Sequence, residues 1–576
     1  MTRILTLERA AAARRPVSLA TDAVIFAAGL AALYGVLGIG RNWLAPARPV
    51  AAISLAPSAL PLYSLYSLWR MGLAYVASLI FALVYAYAAA RSAVAERLLI
   101  PLLDILQSIP VLSFLPGVML AMVSLFPDRE LGLELGSILL IFTGQVWNLA
   151  FSFYASLKGL PRELTEAAST YRFGRWQRVY QLELPFGAIG LVWNSMMSVA
   201  GGWFFLMACE MFQLGQRDFR LPGLGSYLQT AASAGDIGAI CWGLAAMILV
   251  ILLLDQCLWR PLIAWAEKFK FEQVESTETP QSAVLAALRH SRALVWVRRR
   301  VLGPAWEMLT LRMARREASE EHAEAPAWQP YVMRAAGVAL LAVVLYGAMR
   351  AGRLLLGLTR DELHVLLRGA EATFARVFAA LAIGLLWTVP VGVAVGLRPR
   401  LASVVQPLAQ IAASVPATAL FPVLLLILFR VGGGMGLAAI LLMLLGTQWY
   451  LLFNVIAGAQ AVPSDLLEAS RVFRIGGWER WRLLILPGIF PYLVTGLVTA
   501  AGGAWNASIV AEYSRFQGRV LATTGLGATI SQATDAGDFD LLLASTVAMA
   551  VIVVTVNRLL WKRLYRLAQT RFRLES

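Results

Sequence analysis

The segment DLLEASRVFRIGGWERWRLLILP occupies Asp465–Pro487, and ELTEAASTYRFGRWQRVYQLELP occupies Glu163–Pro185, 302 positions earlier. Both lie in a chain otherwise dominated by Leu, Ala, Val and Gly. Each follows a proline (Pro161 or Pro463), carries its acids first, then Glu-Ala-small, a glycine, a tryptophan, arginines and Leu-x-Leu-Pro. Proline suits the start of a helix, and acids in its first turn suit the positive end of the helix dipole. Gly174 and Gly476–Gly477 are placed to break that helix. A second short amphipathic helix is expected next, with Pro185 and Pro487 opening a new apolar run. Each copy therefore reads as a helix–turn–helix laid on a membrane face. Ala167, Ala168, Ala469 and Ser470 are small enough to let another surface approach closely.

The surroundings are those of a membrane protein. Of 576 residues, 59% are apolar and 14% charged, against about a quarter charged in soluble domains. Mean hydropathy is +0.69. Apolar runs near twenty residues recur, enough to cross about 30 Å of hydrocarbon as helices. A β-barrel would show short alternating segments instead. The net charge of +15 is nearly all arginine and follows the positive-inside rule rather than marking a nucleic-acid binder. Cys209, Cys241 and Cys257 fall in apolar runs and form neither a disulfide framework nor a metal-ligand spacing. His290, His322 and His364 are scattered.

Twelve spans fit: about 19–39, 72–90, 102–126, 132–156, 187–212 and 237–259, then 332–349, 373–397, 407–429, 436–457, 488–510 and 541–561. The run after Arg14–Arg15 continues to about Gly40, longer than a signal-peptide core, and reads as a span behind a cytoplasmic tail. The stretch 55–68 holds two prolines and is expected at the outer interface. Placing 1–18, 91–101, 157–185, 260–331, 398–406, 458–487 and 562–576 on one side collects most arginines there, which makes that side cytoplasmic. Arg350, Arg353, Arg360, Arg368 and Arg376 are exceptions, partly offset by Asp361, Glu362 and Glu371.

The 302-residue offset also pairs Trp147 with Trp449, Trp203 with Trp505, Glu210 with Glu512 and Trp259 with Trp561, and GLGSYLQTAASAGD (223–236) with GLGATISQATDAGD (525–538). Upstream, PLLDILQSIP (101–110) matches PLAQIAASVP (407–416), with four residues inserted. Each half holds an even number of expected spans, so both enter the membrane from the same side as parallel repeats. The units are 1–259 and 332–576. The hydrophilic stretch 260–331 between them reads as a cytoplasmic tether, a solvated helix followed by a flexible linker.

These segments resemble the EAA loop of binding-protein-dependent ABC import permeases: Glu-Ala-Ala, three residues, Gly, nine residues, Ile-x-Leu-Pro. Glu166-Ala167-Ala168 leads to Leu182-x-Leu184-Pro185 at that spacing, and Glu468-Ala469-Ser470 to Leu484-x-Leu486-Pro487. GLGATISQATDAGDFD and AWNASIVAEYSRF are similar to the nitrate/sulfonate/taurine branch. Arg172 and Arg474 stand where the family has glycine, with Gly174 and Gly476 two residues on. A shifted turn and an added charged contact with the partner are therefore expected. The resemblance implies an all-α polytopic membrane protein, a type I ABC importer permease fold of about twelve transmembrane helices in two parallel six-helix repeats. It also implies a multi-pass place in a bacterial inner membrane with both termini cytoplasmic. The expected partners are two ATPase subunits, identical or different, which hold ATP and Mg, and a periplasmic or lipid-anchored binding protein. The chain itself would carry no cofactor, and no G-x-x-x-x-G-K-[ST] loop is present.

Polar residues within spans are pathway or gate candidates: Gln145, Asn148, Asn194 and Ser195, then Gln448, Asn454, Asn506 and Ser508, with Trp147, Trp203, Trp449 and Trp505 as possible lining. Glu210 and Glu512 are expected as a gate or as ion pairs, with Arg217 and Arg515 as partners. An ion-coupled secondary transporter also fits two parallel halves, but midplane carboxylates are sparse and the repeated loop would go unexplained. A membrane scaffold or lipid-acting enzyme is the third reading, and no catalytic cluster supports it.

Overall fold

The computed structural model describes residues 52–269 and 355–571, short loop gaps aside, with the helices 283–290 and 303–320 between them. The expected spans 19–39 and, but for isolated positions, 332–349 lie outside the described residues. In the first half, α1 (Leu60–Arg91) and α2 (Ala93–Ser108) lead through a 3₁₀ turn (Val111–Phe114) to α3 (Leu115–Leu125) and α4 (Leu131–Lys158). Then come α5 (Arg162–Thr170), α6 (Arg175–Arg178), α7 (Leu184–Glu210), strands β1 (Gln213–Leu214) and β2 (Arg217–Asp218), α8 (Leu224–Ala234), α9 (Ile237–Leu254) and α10 (Arg260–Ala266). Between the halves stand α11 (Ala283–His290) and α12 (Gly303–Glu320). The second half repeats the order: α13 (Arg360–Gly396), α14 (Pro399–Ser414), α15 (Ala417–Arg430), α16 (Met435–Gln460), α17 (Ser464–Val472), α18 (Gly477–Arg480) and α19 (Leu486–Ala511). Strands β3 (Tyr513–Phe516) and β4 (Arg519–Ala522), then α20 (Leu526–Ala536), α21 (Phe539–Val556) and α22 (Lys562–Arg571), complete it. Among the described residues the architecture is helical but for two antiparallel hairpins, β1–β2 and β3–β4, at equivalent places.

Eight helical stretches among the described residues are long and apolar enough to cross a membrane: Pro57–Arg91, Leu131–Lys158, Arg175–Glu210, Ile237–Ala266, Arg360–Gly396, Met435–Gln460, Gly477–Ala511 and Phe539–Ala568. The stretches 102–126 and 407–429 do not form single spans. Each breaks before a proline, at Ile109 (φ −79°, ψ 124°) and Val415 (φ −77°, ψ 118°), because the proline ring forces the preceding residue out of the helical region. The resulting helices Val111–Leu125 and Ala417–Arg430 are short. The segment 55–68 is also corrected. From Leu60 it forms the first turns of α1, with Tyr63, Ser64 and Ser67 buried. Likewise α13 starts ahead of its expected span, because Thr359 and Glu362 close a capping box, Thr359 N donating to Glu362 Oε2 at 2.7 Å and Glu362 N to Thr359 Oγ1 at 3.3 Å.

In each half the first, second and third of the four long helices form the core: α1, α4 and α7, then α13, α16 and α19. The broken pairs cross over. The 3₁₀ turn of the first half packs on α19, and α15 packs on α7; α2 meets α21, and α14 meets α9. Leu112 N donates to Asn506 Oδ1 at 3.4 Å, and Thr546 Oγ1 to Ser113 O at 3.1 Å, tying the halves at this seam.

Candidate functional site

The two opening segments fold alike. Pro161 and Pro463 precede α5 and α17, and Phe173 and Ile475 end them by donating to Ala168 O (2.9 Å) and Ser470 O (2.8 Å). Arg172 N and Arg474 N close the inner bonds to Ser169 O and Arg471 O. This is the Schellman pattern, whose closing residue is left-handed and usually glycine. Here Arg172 (φ 51°) and Arg474 (φ 52°) take that conformation. The turn is therefore not shifted to the later glycines: Gly174 (φ −63°) and Gly476 (φ −128°) instead precede α6 and α18. A non-glycine residue there costs about 1–2 kcal/mol, and the chain bears that cost twice at equivalent places.

Glu166 and Glu468 are exposed, while Ala168 and Ser470 are buried. The Ser470 hydroxyl donates to Leu467 O at 2.7 Å, so serine fits an alanine site without an unpaired hydroxyl. The helix after the turn does not stop at the proline. In both copies α6 and α18 run through one π turn, Val179–Glu183 or Trp481–Ile485, straight into α7 or α19. Pro185 and Pro487 sit at the start of those helices. Proline has no N–H and its ring crowds the carbonyl four residues back, so a wider turn accommodates it. The second part of each segment is thus the end of a membrane helix, and a push on it is a push on the span.

The copies differ in their surroundings. Glu183 is buried and accepts from Arg178 Nε (3.0 Å) and Arg91 (3.2 Å). Its counterpart, Ile485, packs with Leu397, the counterpart of Arg91, in an apolar cluster. Nearby, Lys158 Nζ donates to Glu96 Oε2 at 2.6 Å, and that bond holds the Glu96 carboxyl below its usual range.

At the other end of each half lies a buried ionic cluster. Glu210 accepts from Arg70 Nη1 and the Ser67 hydroxyl, both at 2.7 Å, and from Gly225 N at 2.7 Å. Ser67 Oγ accepts from Leu224 N at 3.0 Å. The carboxylate therefore fastens the first turn of α8, whose amides lack helical partners, to α1. Glu512 does the same for α20, accepting from Arg376 Nη1 (2.8 Å), Thr373 (2.9 Å) and Gly527 N (2.9 Å). A β-carbon on Gly223 or Gly525 would fall inside these carboxylates. Glu210 pairs with Arg70 and Glu512 with Arg376; the side chains of Arg217 and Arg515, the partners expected from sequence, lie outside the described set. Arg376, read in sequence as an outer-loop exception, is thereby accounted for. Ser67 and Arg70 align with Thr373 and Arg376 at the 306-residue offset already seen between 101–110 and 407–416. Extending that alignment upstream would have found them.

The remaining candidates do not converge on one site. Gln145 is buried within the first half, donating to Met71 Sδ at 3.0 Å. Asn194 donates to Ser152 and Gly190, Ser195 accepts from Tyr75, Asn454 donates to Tyr450 O and Ser508 to Trp505 O. Trp203, Trp505 and Gln448 are buried, Trp147 and Trp449 partly so, and Asn148 is exposed. Asn506 alone of the set bonds across the seam. A cavity of about 40 Å³ lies at the seam against Met196, Trp203, Trp259 and Gln410, room for little more than a water molecule.

The comparisons agree with this doubled architecture. The chain matches the family described as binding-protein-dependent transport system inner membrane component over residues 57–258 and again over 388–574. It is similar to the taurine transport system permease protein TauC of Escherichia coli, 29% identical over 181 residues, 31% of this chain and 62% of that protein. It is similar to the bicarbonate transport system permease protein CmpB of Synechococcus elongatus, 30% over 141 residues, 24% and 49%. The nitrate import permease protein NrtB of Leptolyngbya laminosa is 24% identical over 188 residues, 33% and 64%. The chain thus spans between about half and just under two-thirds of the length of each of these relatives. Two matches that together cover more than half of the chain make it a member of the binding-protein-dependent transport system inner membrane component family, with the family unit present twice.

Proposed function

We propose that the chain is the membrane-spanning permease of an ABC import system, with two permease units (1–259 and 332–576) joined by the tether 260–331. Each unit has six spans: four of the eight long helices, one broken pair (93–125 or 399–430) and one further run (19–39 or 332–349). Both termini face the cytoplasm. Two ATPase subunits, holding ATP and Mg, dock on Glu166, Ala167 and Ala168 and on Glu468, Ala469 and Ser470. A periplasmic or lipid-anchored binding protein delivers solute from the opposite face. The taurine, bicarbonate and nitrate names of the relatives favour a compact solute with an anionic oxygen group, and Asn506 and Trp203 at the seam are the nearest pathway candidates.

The observation that carries this reading is the continuous helix. In both halves an exposed acidic helix is fixed by a left-handed arginine to a stretch that runs unbroken into a membrane span. A motor closing beneath the membrane would move both spans as levers and open the seam between the halves. The test is retention of a co-expressed ABC ATPase from the same organism on the tagged, detergent-solubilised protein. The native chain should retain it, and Glu166→Arg with Glu468→Arg should release it while the protein stays monodisperse. Retention by that double variant, or none by the native chain, would overturn the reading.

A further inference from the structure

Helix α12 of the tether packs against α6, in the first coupling segment, and the Trp306 ring lies 4.8 Å from that of Tyr180. Trp176, Gln177 and Tyr180 are correspondingly only partly exposed. The equivalent residues of the second segment, Trp478, Glu479 and Arg482, are exposed, Trp478 to 72%. Arg482 in place of Tyr180 removes the ring on which a tryptophan rests. The second segment is also the more apolar: Val472 replaces Thr170, Phe473 replaces Tyr171 and Leu483 replaces Gln181, and all three apolar residues are exposed.

We propose that α12 is a resident partner of the first coupling segment, so that the two docking faces offered to the motor are chemically different. The first face is built from α5 together with a tether helix already seated on α6. The second is open, with Val472, Phe473, Trp478 and Leu483 beside Arg471 and Arg474, and fits a partner groove that is apolar and rimmed by acids. A large ring left in water on one copy and covered on the other is the mark of a surface that awaits a partner on one side only. The proposal rests on the coupling reading for the motor's identity, but the seat of α12 on α6 does not.

The full-length chain in lipid nanodiscs, with Cys209, Cys241 and Cys257 replaced by alanine and no ATPase present, decides it. Single cysteines at Trp176→Cys and Trp478→Cys are labelled with a membrane-impermeant maleimide. The second should react at least about tenfold faster. Trp306→Ala should raise the Trp176→Cys rate severalfold and leave Trp478→Cys unchanged. Equal parent rates, or no response to Trp306→Ala, would overturn the proposal. As a check that survives a poorly folded Trp306→Ala protein, Tyr180→Cys with Trp306→Cys should be joined within one chain by a short bifunctional maleimide, whose reach covers the space the two rings fill, and failure to do so is equally contrary. If labelling follows expectation while no ATPase is retained by the native chain, the coupling reading falls and the seat of α12 stands.

Discussion

The two ionic clusters that fasten α8 and α20 sit on the same scaffold and are not equally charged. In the first half Arg70 is shared by two carboxylates, donating to Glu134 at 2.6 and 2.7 Å and to Glu210 at 2.7 Å. In the second, Glu512 is the one carboxylate paired with Arg376 among the described residues, and the other donor contacts of Arg376 go to Thr523 Oγ1 (2.9 Å) and Thr524 O (2.6 Å). The counterpart of Glu134 is Gly436, where an added β-carbon would approach Arg376 Nη2 to 3.9 Å. The contrast recurs at the end that carries the repeated charged segments, where Arg91–Glu183–Arg178 stands opposite Leu397–Ile485. One fold thus accepts an ionic or a less charged solution at equivalent places. The glutamate that caps the helix after the hairpin is common to both halves, and the acids around it are not.

Breaking the clusters should expose this difference most strongly. Arg70→Met strands two buried carboxylates and should cost about 3–5 kcal/mol. Arg376→Met strands one, and the side chain it removes is itself 14% exposed against 2% for Arg70, so it should cost about 1.5–3 kcal/mol. Thermal unfolding in detergent checks the order, and an equal or reversed order would show that Glu134 adds no burden. Gly223→Ala and Gly525→Ala press a methyl into the glutamate and should each cost about 1–3 kcal/mol by the same measurement. Smaller and of opposite sign, Arg172→Gly and Arg474→Gly relieve a left-handed residue and should each stabilise by about 1 kcal/mol; a loss would mean that these side chains contribute more than their strain. The smallest change belongs to the transplant Arg91→Leu with Glu183→Ile, which gives the first half the second half's solution. Its unfolding midpoint should correspond to within about 1 kcal/mol of the native chain, since well-packed apolar groups often replace a buried ion pair without loss.

Periodicity and repetition carried the reading far, because a long apolar run and a doubled motif are local signals. The paired charged segments, the duplication and most long helices follow from Glu163–Pro185 and Asp465–Pro487. The breaks at Ile109 and Val415 were written in the following prolines, yet they sit inside runs apolar enough to pass as single spans. The π turns before Pro185 and Pro487 were not legible, because a proline can open a helix or be absorbed by a wider turn, and only packing decides. Arg70 and Arg376 were hidden for another reason. An arginine inside an apolar helix announces that it needs a partner, but the partners here lie 64 to 140 residues away in the chain, and composition cannot name them. The seat of α12 on α6 joins helices more than 100 residues apart through contacts such as the Tyr180–Trp306 ring pair, and no sequence period marks that.

The most direct test of the coupling claim is cross-linking of the native assembly at matched positions, Ser169→Cys and Arg471→Cys, both exposed close to the exposed glutamates Glu166 and Glu468. Against a cysteine-bearing ATPase co-expressed with the chain, each site should capture one ATPase, and the two together should capture two per chain. Capture at neither site, with ATP-driven uptake intact in the same membranes, would contradict the account.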